Sequence, residues 1–222
     1  MEKRGISFGL KKLTFTAALL ATFGSNAVQA QDQGWYMGIG IGQSKAKQIA
    51  SCSDLGALLT PSSSCSTEDT SSGKKLFGGY QFDQYVAVEA GYVDLGKFTL
   101  SASNNFPSPP PLFTASGSDT VKGYSVDAVG TWPITAEFAL LGRIGVFRWT
   151  LEDSATASAV TTVSTSDKAT GTGADFGVGA KYDFDKNMGV RAEFQRFKSI
   201  GNNTTGKSDV DLISASFVYR FR

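Results

Sequence analysis

Nine charged side chains stand at alternate positions within otherwise weakly polar runs, and their types are those of ion-pair chemistry. They are Lys75, Glu89, Asp127, Arg143, Asp175, Lys181, Arg191, Glu193 and Arg220. Brought into a confined interior, such groups pair with one another, because an unpaired buried charge is costly. Two uses are open: a salt-bridge network that fills an interior, and an ion gate in which exchanged partners open a narrow path. Catalysis is poorly served. The sequence contains no histidine, which removes Ser-His-Asp chemistry, histidine-ligated metals and the most common general base. Two cysteines without a histidine make a poor metal set. The residues therefore predict no catalytic group, no metal and no cofactor.

The elements that carry these charges alternate with period two. In the first run Trp35, Met37, Ile39 and Ile41 alternate with Tyr36, Gly38, Gly40 and Gly42. The apolar phase admits no Lys, Arg, Asp or Glu within a run, which is the pattern of a lipid-facing β-strand. Eight such runs occur, about 35–43, 75–83, 85–94, 123–132, 137–148, 173–184, 188–196 and 211–221. Each is close to the ~9–11 residues a tilted membrane strand requires.

Tight turns at Asp83-Gln84, Pro133 to Ala136 and Asp185 to Asn187 alternate with long polar segments at 44–74, 95–122, 149–172 and 197–210. Short turns on one side and long loops on the other predict an all-β, eight-stranded antiparallel up-and-down transmembrane β-barrel. A soluble ligand-binding barrel would instead turn its apolar phase inward. Glycines and charges on the opposite phase, with aromatics at the strand ends, favour lipid outside.

Residues 1–30 read as a signal peptide: Lys3, Arg4, Lys11 and Lys12, an apolar stretch from Leu13 to Phe23, then Val28-Gln29-Ala30. The apolar stretch falls well short of the ~20 residues of a spanning helix. Over 31–222 the Lys and Arg fall from 21 to 17 and the Asp and Glu from 20 to 19, a net charge of −2. With no basic block, nucleic acid is not an expected partner.

Cys52 and Cys65 lie in the first long segment and are expected to form a disulfide in an oxidising compartment. Phe106 to Phe113, with four prolines, reads either as an apolar adhesive tip for a host or phage receptor or as a cap across the barrel mouth. Lys45, Lys74, Lys122, Arg148 and Arg196 extend the outward phase to the loop-side strand ends. That ring suits lipopolysaccharide phosphates, or else is an ordinary solvated rim interrupted by Asp94 and Asp211.

Trp35-Tyr36-Met37-Gly38, Phe77-Gly78-Gly79-Tyr80-Gln81, Glu89-Ala90-Gly91-Tyr92 with Leu95-Gly96, Trp132-Pro133-Ile134-Thr135, Arg143-Ile144-Gly145, Arg191-Ala192-Glu193-Phe194-Gln195 and Tyr219-Arg220-Phe221 occur in order along the chain. Through them the sequence resembles the OmpA-type transmembrane barrels of Gram-negative outer membranes. That resemblance implies a structural, surface-exposed barrel with a polar, poorly conducting interior, contributing to envelope integrity and, through its loops, to adhesion. It places a gate on an acid of the third strand and an Arg of the seventh, which Glu89 and Arg191 match. The family's second pair looks inverted, with Asp127 on strand four and Lys181 on strand six. A narrow channel gated by these salt bridges is the alternative function. The peptidoglycan-gripping domain of many members is not expected, since the sequence given stops one residue after Phe221. The barrel-assembly machinery is expected to read the Phe217, Tyr219, Phe221 phase.

Overall fold

The computed structural model describes residues 33–47, 52, 63–104, 113–158, 161–201 and 207–221. The signal-peptide segment and most of the proline-rich segment lie outside these residues. Nine strands follow in chain order: β1 (Gly34–Ala46), β2 (Ser63–Glu68), β3 (Thr70–Gln81), β4 (Val86–Asn104), β5 (Phe113–Pro133), β6 (Phe138–Ser158), β7 (Thr162–Asp183), β8 (Met188–Ile200) and β9 (Ser208–Arg220). All pairings are antiparallel. β1 pairs with both β3 and β9, and a β4–β5 pairing joins the remaining ends. The result is a closed eight-stranded barrel, with β2 as an accessory strand on β4.

Alternation decides which face is which. Trp35, Ile39, Ile41, Tyr124, Ile144, Val178 and Ile213 are all at least 63% exposed on the outside, while their sequence neighbours turn inward. From Trp35 to Lys45 the outward face of β1 runs ten residues, which at strand rise and barrel tilt spans about 25 Å. Aromatic pairs mark the turn-side border: Trp35 with Tyr80, Tyr182 with Phe184, and Tyr219 with Phe221, at centroid separations of 5.2, 5.6 and 5.2 Å. Tyr92 and Tyr124 pack edge-on at the other border.

The turns repeat one device. Asp83 Oδ1 accepts the N–H groups of Tyr85 and Val86, and Asp185 Oδ1 those of Asn187 and Met188. Thr135 Oγ1 accepts from Glu137 and Phe138. Short polar side chains thereby satisfy the backbone where it reverses.

The loop side departs from the expected boundaries. β4 continues to Asn104, β6 to Ser158, and β7 begins at Thr162, so much of the polar sequence read as loop is strand. β2, β4, β5, β6 and β7 form a sheet that rises beyond the membrane band. Its base is set by a bulge between Asp94 and Gly96. Gly96 has φ +82°, and a Cβ there would stand 2.4 Å from Ser71 Oγ. Glycine alone fits comfortably.

Candidate functional site: a layered lumen and its rim

The inward phases of the eight strands stack the lumen into layers. At the turn-side mouth Asp183 accepts from Arg220 at 2.6 Å and pairs with Lys181 at 3.7 Å. Above the mouth lies an apolar collar of Tyr36, Phe77, Ala87, Val129, Leu141 and Val218. The buried ion-pair layer comes next.

Arg143 is the hub of that layer. Its guanidinium donates to Asp127 at 2.7 Å, Glu193 at 2.8 Å and Glu89 at 3.1 Å, joining β4, β5, β6 and β8. Arg191 bonds Glu89, and Lys75 bonds Glu193. The Tyr36 hydroxyl donates to Glu89 at 2.8 Å. Arg191 also lies 5.1 Å from the Phe77 ring centroid and Lys75 5.3 Å, so aromatic faces solvate both cations. The network is anchored from five strands, with Glu89, Arg143 and Glu193 each joined to more than one ion.

Just above, Asp175 is wholly buried and receives the Gln195 side-chain N–H at 3.0 Å. Ser125, Ser214 and Ser216 are buried as well, Ser214 and Ser216 in register with Glu193 and Arg191 of the ion-pair layer. The loop-side half of the lumen is then closed by an apolar plug: Val93, Leu95, Phe98, Val121, Phe147, Trp149, Leu151, Phe197, Ile200, Val210, Leu212 and Ala46. Phe147 and Phe197 are completely buried, with ring centroids 4.6 Å apart.

Seven of the nine expected interior charges therefore meet in one buried region, while Lys181 and Arg220 form a separate group at the mouth. Glu89 and Arg191 are in contact. The inverted Asp127–Lys181 pairing does not form: Asp127 is taken by Arg143, and Lys181 lies a layer below the collar with Asp183. Tyr36, Phe77, Gln195 and Asp183 were not singled out beforehand, although the period-two phase already turns each of them inward.

At the loop-side rim the outward phase brings the five cations to the strand ends with acids between them. Lys45 pairs with Asp69 at 3.3 Å, Lys122 with Glu152 at 3.1 Å, and Arg196 holds Asp211 through two bonds of 2.6 and 2.9 Å. Lys74 and Arg148 are exposed and make no salt bridge among the described residues.

Cys52 and Cys65 form a disulfide, with Cα atoms 5.8 Å apart. It fastens the segment after β1 to β2, and through β2 to β4. At the other end Phe217, Tyr219 and Phe221 project outward, each 40–49% exposed. The Phe221 N–H donates to Trp35 O, bringing the last strand to the first.

A model of the OmpA-like transmembrane domain matches residues 30–222. The chain belongs to the OmpA-like transmembrane domain family. This OmpA-like protein is a multi-pass β-barrel of the outer membrane. It is 28% identical to Outer membrane protein A of Salmonella typhi over 216 residues, covering 96% of this chain and 56% of that relative. With the Klebsiella pneumoniae protein the identity is 29% over 157 residues, 70% of this chain and 42% of the relative. The chain thus spans about half the length of the curated relatives it matches. Among solved structures, Neisserial surface protein A superposes with a TM-score of 0.50 at 14% identity, over 85% of this chain and 97% of that one. That likeness shows the fold alone.

Proposed function

We propose that this OmpA-like barrel is a sealed, non-catalytic structural element of the outer membrane that presents its extracellular sheet to other surfaces. The observation that carries this reading is the apolar plug. An ion crossing the lumen would have to pass a dry layer of buried aromatic and aliphatic side chains, where desolvation is prohibitive. Below the plug, Arg and Lys answer Glu89, Asp127 and Glu193, which might otherwise act as acids or bases. The chain's lack of histidine points the same way.

Adhesion through the loop side is supported by a strand edge that has no paired strand among the described residues. β7 pairs with β6 over its whole length but with β8 only through residues 175–183. Its upper part, Thr162 to Thr172, carries Thr, Ser, Val, Ala and Gly with one Asp–Lys pair. Such an edge can receive an extended segment of a host or phage protein.

At the rim, Lys74 and Arg148 are the cations best placed for lipopolysaccharide phosphate, since their charges are not committed to acids among the described residues. The Phe217, Tyr219, Phe221 row would be read by the barrel-assembly machinery after export under a leader formed by residues 1–30.

The alternative is a narrow ion channel gated at Glu89–Arg191, favoured by the way Arg143 already bridges Glu89 and Glu193. Planar-bilayer recording of the purified barrel separates the two. The sealed reading expects no unitary steps at any voltage; discrete channels in the unmodified protein would replace it with the channel. For adhesion, removing 161–172 should lower binding of expressing cells to host-cell surfaces while leaving barrel folding intact. Unchanged binding would remove that part of the reading.

A further inference from the structure

The buried charges of the lumen do not balance. Lys75, Arg143 and Arg191 face Glu89, Asp127, Asp175 and Glu193, all at most 8% exposed. Three cations meet four carboxylates, leaving one negative charge in excess among the described residues. The cations at the mouth do not supply the difference. Lys181 and Arg220 share Asp183, and Lys181 lies six residues along β7 from Asp175, about 20 Å at strand rise.

The excess sits at one place. Glu89 touches two of the three cations and Glu193 all three. Asp127 gives one oxygen to Arg143, but its Oδ1 is buried without a protein partner. Asp175 has no cation at all: Oδ1 takes the Gln195 amide, and Oδ2 is buried without a partner. The two carboxyls lie either side of Gly145, which pairs with Asp127 on β5 and with Asp175 on β7. Their side chains come within hydrogen-bonding reach of each other. Gly145 permits this approach, because a Cβ at that position would stand 2.4 Å from Asp127 Oδ1.

A third buried oxygen without a partner belongs to the residue that bonds Asp175. Gln195 is 1% exposed; its amide nitrogen is spent on Asp175, and its Oε1 is also without a partner. Ionised carboxylates only accept hydrogen bonds, so two of them in contact need a positive species between them. Two carboxylates, an amide oxygen and one surplus negative charge are the donor set of a small hard monocation.

We propose that the lumen binds one monovalent cation, a hydron or a sodium ion, between Asp127 and Asp175. The site lies under the apolar plug and is closed to the outside, so the ion is a structural constituent that neutralises the interior. Asp175→Asn removes the surplus charge without touching a salt bridge, and the site with it.

The test is made on the full barrel refolded in detergent micelles. Infrared spectra at neutral pH look for the C=O stretch of a protonated carboxyl, and melting is followed with sodium or N-methylglucamine as the only cation. A carboxyl band present in the wild type and absent from Asp175→Asn assigns the hydron. No band, with wild-type melting raised by sodium by about 3 °C or more and that rise lost in Asp175→Asn, assigns sodium. Neither band nor sodium dependence in the wild type overturns the site, whatever the variant's own stability.

Discussion

At the scale of single residues the lumen is decided by Arg143, which touches three carboxylates on three other strands. Arg143→Ala leaves Asp127 without its cation, takes one partner from Glu89 and one from Glu193, and is expected to cost about 3–5 kcal/mol, the usual loss when one partner of a buried ion pair is removed. Urea unfolding in lipid bilayers measures it, and a loss under 1 kcal/mol would show that the network is hydrated. A second prediction concerns the extracellular sheet. Asp119 lies in register with Phe98 on β4 and Asp153 on β6, and Asp167 on β7 follows in the same row. Lys122 and Lys168 both pair with Glu152 on the opposite face. Burial, with the Asp153 charge added, pushes the Asp119 carboxyl up to about 6 from its ordinary 3.8. The folded sheet therefore binds more protons than the unfolded chain between those values, and its stability falls as pH rises through that window. Amides of 114–121 should be better protected against hydrogen exchange at pH 5 than at pH 7 after correction for intrinsic rates. Asp119→Asn should flatten the difference; a wild-type sheet more protected at the higher pH would contradict it.

At the scale of elements, what could be read in advance followed from what lipid demands. The Trp35–Ile41 and Ile213–Phe221 runs must be apolar on one side, so their phase, their turns and their neighbours are legible. The strands above the membrane carry no such demand. Ser63–Glu68 and Thr162–Thr172 are polar on both faces, and nothing in their composition separates a strand from a loop. Interior partners were only half legible for a related reason. Period two puts Asp127 and Lys181 on the inner face, but partner choice depends on cross-strand register and height. Register sets Asp127 beside Gly145 and within reach of Arg143, while Lys181 drops to the mouth. The bulge offers a direct test of the extended sheet. Gly96→Ala meets Ser71 Oγ at 2.4 Å and adopts φ +82°, a strain of about 1–3 kcal/mol. Greater proteolysis of the β4–β5 extension with an intact membrane-embedded core is expected; unchanged cleavage would mean the bulge is not where the sheet is set. Reduction of Cys52–Cys65 should likewise loosen only the segment between β1 and β2, leaving barrel melting in place.

At the scale of the whole molecule, the layers give each part a separate duty. The outer face meets lipid, the ion layer ties the strands together, and in the proposed reading the plug closes the way through. A gate at Glu89–Arg191 and a sealed lumen make opposite demands on that plug. The most direct measurement is planar-bilayer recording of Arg191→Gln, which breaks the pair but leaves Phe147, Phe197, Leu95 and Leu212 in place. A barrel that still passes no unitary current is the expected result. Discrete channels opened by that single substitution would contradict a lumen sealed by its apolar plug.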